Sequence, residues 1–495
     1  MLSPNRFQQN EEKTMRRLMT LFLIAGIISA PLSGKDATGY PRLSEAVQLI
    51  EVWLDAQRDY DGLPGLSAAV VHDQTTIWSG GFGYSNPDRK SKTDAKTIHS
   101  ICSISKLFTA IAVMQLRDEG KLRLNDPVSK HLPWFDIENS YPDRGGATVQ
   151  NMLTHSSGLP RESDYPYWSP PDFPFPSRDA IKGKVSDQST LYPADTYFQY
   201  SNLGLTLAGE IVAELSGMDF DSYIEKKIFR PLGLKNTRTE MPKKLYGKQL
   251  AVGHAALNRD GDRPKVELFH AEGIGPAAGF SSTADDLAKF ASWQFRLLQK
   301  GGEEILKANT LREMHRVHFL DDDWQPAWGL GFSIWRDGEK KFVGHGGSCP
   351  GYRSQLLIQP KSKIATVFMS NASGVNARRF TQQLYNIIAP AVKAANSDDE
   401  AKALKQEFTK YVGHYSEAPW GGETAVISWK GELSMLRLPT NDPLGSITRL
   451  KHIEGDTFRR VRDDDELGEK IRFETDKKGR VINMWHHHNF APRIR

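Results

Sequence analysis

The chain has 495 residues, of which 39% are hydrophobic and 25% are charged, and its formal net charge is +4 at pH 7. This length predicts two domains, and the composition excludes a wholly disordered, collagen-like or coiled-coil protein. The charges are interspersed along the sequence rather than gathered in a basic stripe, which argues against a nucleic-acid partner.

The N-terminus has the layout of a secretory signal. Arg16 and Arg17 precede LMTLFLIAGIISA, an apolar stretch that is short for a membrane span and is followed by a proline and small residues. We therefore expect residues 1–34 to be a signal peptide and the mature protein to be periplasmic or secreted, with no stable membrane span after cleavage. An uncleaved anchor or a buried first helix is the alternative interpretation.

Residues 40–395 mix strand and helix patterns. The stretches LSAAVVHDQTTIWSGGFGYS and SQLLIQPKSKIATVFMSN, near the two ends of this region, each predict a β-hairpin. Between them, the segment from Ile104 to Glu119 is apolar nearly all round and predicts a buried helix closed by Gly120. Hairpins from the two ends can meet in one antiparallel sheet with the helices packed beside it, so this region predicts an α+β domain.

Beyond a polar stretch near residue 400 the pattern changes to short alternating runs. TAVISWKGELSMLRL and EKIRFETDKKGRVINMW each turn at a Lys-Gly pair, so both predict β-hairpins. We expect residues 405–495 to form a small all-β domain, an antiparallel barrel or sandwich. The three adjacent histidines at 486–488 suggest a metal ligand set, but neighbouring strand residues point to opposite faces, so no metal site is predicted there.

The start of the predicted buried helix carries candidate chemistry. Ser103 and Lys106 lie three positions apart, a spacing that places both side chains on one face of a helix. A buried lysine is unfavourable unless it is used or paired, and desolvation lowers its pKa so that it can accept a proton from the serine. Alternatively, Ser103 is only a helix cap. Cys102 is interpreted as a small buried apolar residue, and the sequence alone does not show whether it pairs with Cys349.

Two further motifs follow in order along the chain. Tyr200 and Asn202 lie just before a second apolar helix, and His345-Gly346-Gly347 lies between two strand-like runs. The ordered set Ser-x-x-Lys, Tyr-x-Asn and His-x-Gly resembles the motifs of the penicillin-recognising serine hydrolases, and most closely those of class C β-lactamases and related D-amino-acid peptidases and esterases. Connecting segments such as VQNMLTHSSGLP and AAGFSSTADDLAKF extend the resemblance over residues 63–371.

The resemblance implies a fold, a reaction and a set of residues. The fold is a β-lactamase-like antiparallel sheet flanked by helices, with a helical subdomain and a C-terminal domain similar to a lipocalin-like barrel. The reaction is hydrolysis through an acyl-enzyme, without a cofactor or metal. Ser103 is the implied nucleophile, Lys106 and Tyr200 take its proton, and Asn202 orients Lys106 and the substrate.

The third motif leaves the substrate class open. By resemblance, Gly347 lets the substrate approach the strand, and the backbone N–H groups of Ser103 and Ser348 form an oxyanion hole. His345 is assigned to the catalytic set, although many relatives have lysine there. We expect a small-molecule or peptide substrate of an esterase or D-amino-acid peptidase. A β-lactamase or DD-peptidase and a non-catalytic peptidoglycan-binding relative are the alternatives, and the oligomeric state is left open.

Two features near the motifs have less specific interpretations. His155, in the segment LTHSSGL, is interpreted as a hydrogen-bonded scaffold histidine rather than as a partner of the nucleophile. The loop RESDYPYWSPPDFPFPSR that follows is rich in proline and aromatic residues. It is either a lid on the acyl pocket or a proline-stiffened surface excursion.

Overall fold

The computed structural model describes residues 40–395 and 403–495. The segment 1–34, predicted to be a signal peptide, lies outside these ranges. Within them, no helix is both long enough and apolar enough to cross a membrane.

A nine-stranded antiparallel sheet forms the centre of the larger part, and a separate two-stranded ladder lies beside it. The strands are β1 Gly65–His72, β2 Thr75–Asn86, β3 Ser91–Lys92, β4 His99–Ser100, β5 Ser281–Ser282, β6 Phe319–Leu320, β7 Ala327–Trp328, β8 Ser333–Asp337, β9 Lys340–Cys349, β10 Tyr352–Gln359 and β11 Ile364–Ser370.

The order in the large sheet is β3-β2-β1-β11-β10-β9-β8-β7-β6, and the small ladder joins β4 to β5. The first and last hairpins of the region meet because β1 pairs with β11, with Leu66 opposite Ser370. This pairing confirms the expected joining of the two ends of the region in one sheet.

Helices cover both faces of this sheet and form a helical region beside it, which confirms the α+β class. The bounds of the helices are α1 Pro41–Tyr60, α2 Ser105–Asp118, α3 Val128–His131, α4 Val149–Leu153, α5 Arg178–Val185, α6 Asn202–Ser216, α7 Phe220–Ile224, α8 Arg230–Leu232, α9 Gly275–Ala278, α10 Ala284–Lys300, α11 Ala308–Met314 and α12 Ala377–Ala395. A π-helical turn, Glu225–Phe229, lies between α7 and α8. Short 3-10 segments occur at Cys102–Ile104, Lys243–Leu245, Glu272–Ile274 and Gln406–Tyr411.

Two central helices position the motifs. Helix α2 is buried on all sides in its first ten residues, as its apolar sequence predicts, and it packs against α6. Helix α6 is capped by Ser201, whose hydroxyl accepts a hydrogen bond from the Gly204 N–H at 2.9 Å. It ends at Gly217, which has a positive φ of 67°. Ser103 and Asn202 therefore lie at the start of two rigid, adjacent helices.

The C-terminal part is all β, as expected. Eight strands follow one another in sequence order in a single antiparallel sheet. The sheet nearly closes into a barrel because the Ile494 N–H donates to the His414 carbonyl at 2.8 Å, joining the last residues to the first strand. The bounds are β12 Gly413–Ser416, β13 Glu423–Trp429, β14 Glu432–Leu438, β15 Ile447–Glu454, β16 Thr457–Val461, β17 Leu467–Thr475, β18 Val481–His486 and β19 Asn489–Pro492.

The barrel packs on the larger part through α1. Ala425, Ile427 and Leu436 of the barrel belong to the same buried apolar cluster as Trp53 of α1. At the edge of this contact the buried Glu45 carboxylate accepts hydrogen bonds from the Ser428 hydroxyl and from two backbone N–H groups, at 2.6 to 2.8 Å. The barrel and the sheet domain thus share one apolar contact surface.

Candidate active site

Ser103 and Lys106 meet at the start of α2, as the spacing predicts. Ser103 lies in the 3-10 turn that precedes the helix and is half-buried, and Lys106 is completely buried in the first helical turn. The Lys106 Nζ atom lies 3.2 Å from the Ser103 Oγ atom. It also lies 2.7 Å from the Asn202 Oδ1 atom and 2.8 Å from the Ala277 carbonyl oxygen.

Burial favours the neutral amine form of Lys106. Burial lowers the pKa of Lys106 well below its ordinary value, and the Glu162 carboxylate acts in the opposite direction. A neutral amine has two N–H donors and one lone pair. The Asn202 and Ala277 oxygens accept the two donors, which leaves the lone pair for the Ser103 hydroxyl. The arrangement therefore places a proton acceptor beside the candidate nucleophile.

Tyr200 approaches Ser103 from another direction. Its phenol lies beside the Ser103 side chain, and the Lys106 Nζ atom lies 4.8 Å from the centre of its ring. Burial raises the pKa of Tyr200, while the hydrogen bond to Ser103 and the Arg161 charge oppose that rise. Tyr200 is therefore a neutral phenol near pH 7. The lowered pKa of Lys106 and the raised pKa of Tyr200 favour Lys106 as the first acceptor of the serine proton.

Asn202 uses both ends of its amide inside the protein. Its Oδ1 atom accepts from Lys106, and its Nδ2 atom donates to the Glu162 Oε1 atom at 2.7 Å. Glu162 did not stand out in the sequence, because a single acidic residue in a long loop has no distinctive spacing. The only sequence feature that points to it is its position directly after the family-like segment that ends in Gly-Leu-Pro.

His345 lies on β9, buried to 4% exposure. Its Nδ1 atom is 2.6 Å from the Gly346 carbonyl oxygen, which only accepts, so Nδ1 carries the proton. Among the described residues, its Nε2 atom has no hydrogen-bond partner. Burial lowers the pKa of His345 to about 3, with Lys106 acting in the same direction. This position therefore holds a neutral hydrogen-bond acceptor.

Gly347 and Ser348 follow on the same strand. A Cβ atom on Gly347 would collide with the Ile101 carbonyl and the Ser354 hydroxyl, so only glycine fits where β9 passes the turn before Ser103. Ser348 is exposed and pairs with Arg353 of β10. The third motif thus lies against the turn that carries Ser103.

A disulfide joins these two segments. Cys102 and Cys349 are bonded, with their Cα atoms 5.7 Å apart, a pairing that the sequence alone left open. Cys102 directly precedes Ser103, and Cys349 directly follows Ser348. Cys102 also has a positive φ of 49°, an unfavourable backbone conformation for a residue with a side chain. The cross-link holds the candidate nucleophile beside β9.

His155 packs against the ring of Tyr200. The Ser201 N–H donates to the His155 Nδ1 atom at 3.2 Å, and the two rings of His155 and Tyr200 lie 4.2 Å apart. Burial lowers the pKa of His155 well below its ordinary value. These contacts match the interpretation of His155 as a hydrogen-bonded scaffold residue.

The C-terminal histidines have a different environment. The rings of His486 and His487 lie 4.4 Å apart, on the barrel. Across residues 40–395 and 403–495, no group of three or more His, Cys, Asp or Glu side chains is arranged to hold a metal ion.

Comparison with known proteins places this site in a family. The family model described as Beta-lactamase matches residues 52–389, which include the motifs that contain Ser103, Tyr200 and His345. The chain belongs to the beta-lactamase family. A second model, described as a domain of unknown function, matches residues 398–494 of this beta-lactamase family protein, the part that forms the barrel.

Relatives of this beta-lactamase family protein extend over most of its length. Beta-lactamase-like protein 2 of Dictyostelium discoideum is 26% identical over 77% of this chain and 70% of its own length. Protein flp of Staphylococcus aureus strain MW2 is 23% identical over 69% of this chain and 66% of its own length.

Solved structures share this fold over about nine-tenths of the chain. An octameric penicillin-binding protein homologue from Pyrococcus abyssi has a TM-score of 0.60 and 23% identity, and the match covers 90% of this chain and 99% of that one. A structure of SurE with D-Leu has a TM-score of 0.54 and 21% identity, and covers 92% of this chain and 99% of that one.

Proposed function

We propose that this beta-lactamase family protein is a secreted serine hydrolase that cleaves an ester or amide bond through an acyl-enzyme on Ser103. The observation that carries the proposal is the completely buried Lys106 amine, whose Nζ atom lies 3.2 Å from the Ser103 hydroxyl oxygen and has further acceptors in Asn202 and Ala277. A protein that only bound its ligand would have no use for a desolvated lysine beside a half-buried serine.

The reaction follows from these contacts. Lys106 takes the hydroxyl proton as Ser103 attacks the substrate carbonyl, and the backbone N–H groups of Ser103 and Ser348 stabilise the oxyanion. Collapse of the tetrahedral intermediate breaks the bond to the leaving group. That group receives the proton from Lys106 through the Tyr200 hydroxyl, which lies beside Ser103. A water molecule then attacks the acyl-enzyme, and the same groups return the proton and release the acid.

Neutral substrates fit this site best. A permanent cation on β9 would bind the carboxylate of a β-lactam or a D-alanyl peptide, and neutral His345 does not. A hydrogen bond to a charged partner is worth about 1.5 to 3 kcal/mol. Compared with a site that has a cation at position 345, this site should therefore prefer carboxylate substrates roughly tenfold to a hundredfold less. The competing substrates are β-lactams, which the family description suggests, and compounds of D-amino acids, a class to which the D-Leu of the SurE structure belongs.

We propose that the protein is exported from the cytosol. A disulfide next to the nucleophile is stable in an oxidising compartment and is rare in the cytosol. This supports the periplasmic or secreted location that the N-terminal pattern favours.

Two measurements test the proposal. Purified protein treated with a serine-directed phosphonate should carry the label on Ser103, identified by peptide mass spectrometry, and Ser103→Ala should carry none. In a substrate panel, kcat/KM for a neutral aryl ester should exceed that for a chromogenic cephalosporin, and His345→Lys should narrow the gap. Label on another residue would disprove the nucleophile, and faster turnover of the cephalosporin by the wild type would favour the β-lactamase alternative.

A further inference from the structure

Glu162 contacts the catalytic set without touching Ser103. Its side chain is 19% exposed, at the start of the loop between α4 and α5. The Oε1 atom accepts from the Asn202 Nδ2 atom at 2.7 Å and from the Trp168 indole N–H at 3.0 Å. The Oε2 atom accepts from the Tyr167 hydroxyl, and the Arg161 Nε atom lies 3.4 Å from Oε1. The carboxylate is therefore held in place by neighbours of its own loop.

These contacts decide which way the Asn202 amide points. A carboxylate only accepts hydrogen bonds, so the end of the amide that faces Glu162 must be the donating Nδ2. The accepting Oδ1 atom is thereby turned to Lys106. In the reversed orientation, Oδ1 would face the Glu162 carboxylate and Nδ2 would face Lys106.

The reversed amide would disable the proposed base. An Nδ2 donor beside Lys106 would hydrogen-bond to the amine lone pair, which is the group that accepts the Ser103 proton. In the observed orientation that lone pair has Ser103 as its partner, because Asn202 and Ala277 take the two N–H groups. The direction of one amide thus controls the availability of the proton acceptor.

We propose that Glu162 is a positioning residue that acts through Asn202 to keep the Lys106 lone pair directed at Ser103. This inference rests on the proposed function, because it requires Ser103 to be the nucleophile. It adds to the catalytic set a residue that touches neither the nucleophile nor its base.

The charge of Glu162 predicts a second measurable effect, on the pH dependence of the rate. The charged and titratable groups around Lys106 are Tyr200, His155, His345, Arg161 and Glu162. Burial keeps the first three neutral near pH 7, so Arg161 and Glu162 supply the charges. Glu162 raises the pKa of Lys106, and a neutral replacement should therefore move the acid limb of the pH–rate profile to lower pH.

The test separates the hydrogen bond from the charge. The rate of phosphonate labelling of Ser103 and kcat for an aryl ester are measured for Glu162→Ala, Glu162→Gln, Asn202→Ala and the double variant Glu162→Ala with Asn202→Ala. Asp164→Asn, an exposed carboxylate-to-amide change in the same loop, is the matched control. Melting temperatures show whether each variant is folded.

We expect Glu162→Ala to lower both rates by about tenfold or more, with KM within about twofold, because the base loses its alignment. Glu162→Gln keeps an acceptor for the Asn202 amide, so it should stay within about threefold of wild type while its acid limb moves to lower pH. In the Asn202→Ala background, Glu162→Ala should change the rates by less than about twofold. Asp164→Asn should match the wild type.

Three results would overturn the inference. The first is a folded Glu162→Ala variant with wild-type rates. The second is an equal loss of rate in Glu162→Ala and Glu162→Gln. The third is the same loss of rate from Glu162→Ala whether or not Asn202 is present. An unlabelled Ser103 in the wild type would instead disprove the proposed function.

Discussion

Lys106 shows how one buried side chain sets the chemistry of the site. Placing an ammonium group in an apolar helix bundle is unfavourable, so burial shifts this lysine toward its neutral form. The three oxygen neighbours then match the two donors and one acceptor of an amine. Desolvation raises the pKa of Tyr200, so its side chain remains a neutral phenol.

The pH dependence of kcat/KM should reflect the protonation of Lys106. Because the pKa of Lys106 is lowered, its basic form is present well below the 10.5 of an ordinary lysine, and kcat/KM for a neutral ester should rise with pH along a limb in that lower range. Lys106→Arg keeps a cation that does not lose its proton, so kcat should fall by about 100-fold or more. The exposed Lys121→Arg is the control. A limb near the ordinary lysine value, or an active Lys106→Arg enzyme, would contradict the assignment.

At the level of elements, the site is the junction of α2, α6 and β9. Each element is rigid for its own reason: α2 is buried on all sides, α6 is capped at its start by Ser201, and β9 pairs on both edges with β8 and β10. The disulfide between Cys102 and Cys349 ties the start of α2 to the end of β9. It therefore holds Ser103 and Ser348, the two proposed oxyanion donors, at a set separation.

Removing the cross-link should weaken both stability and catalysis. We expect Cys102→Ser with Cys349→Ser to lower the melting temperature, because a disulfide that closes a long loop contributes about 2 to 4 kcal/mol. Labelling of Ser103 should also slow, by at most the roughly 100-fold to 1,000-fold that loss of one oxyanion donor produces.

Wild-type protein in reducing buffer is the matched control for this variant. It should approach the behaviour of the double variant, whereas the double variant should not respond to the reductant. Equal melting temperatures for oxidised and reduced wild type would contradict the stabilising role of the disulfide.

At the scale of the whole molecule, several buried histidines stay neutral, among them His99, His155, His315 and His345. Burial lowers the pKa of His99 to about 4 and those of His315 and His345 to about 3, from an ordinary value of 6.5. Above pH 6.5 the folded and unfolded chains are both neutral at these positions. As the pH falls from 6.5 toward 4, the unfolded chain binds protons that the folded chain does not, so acid destabilises the fold.

This coupling should be measurable in urea denaturation between pH 7 and pH 5. The free energy of unfolding should fall by up to about 1.4 kcal/mol per pH unit for each of these histidines once the pH is below 6.5. His315 lies outside the active site, and His315→Phe should reduce that slope by the contribution of one histidine. The same variant at pH 7 to 8, where the histidines are neutral in both states, is the internal reference. An unchanged acid slope in His315→Phe would show that His315 is not buried in its neutral form.

The sequence by itself determined the α+β class, the all-β C-terminal part and the three motifs, because alternating strands, apolar helices and fixed motif spacings are local patterns. It also predicted that Ser103 and Lys106 share a face, since three positions on a helix are neighbours. The tertiary structure decided the rest. Ala277, Glu162 and Cys349 contact Lys106, Asn202 and Cys102 respectively. All three are far from Ser103 in sequence, and no local pattern marks them as part of its site. The neutral state of Lys106 depends on burial and on acceptors that other segments supply, so it exists only when sheet and helices have assembled.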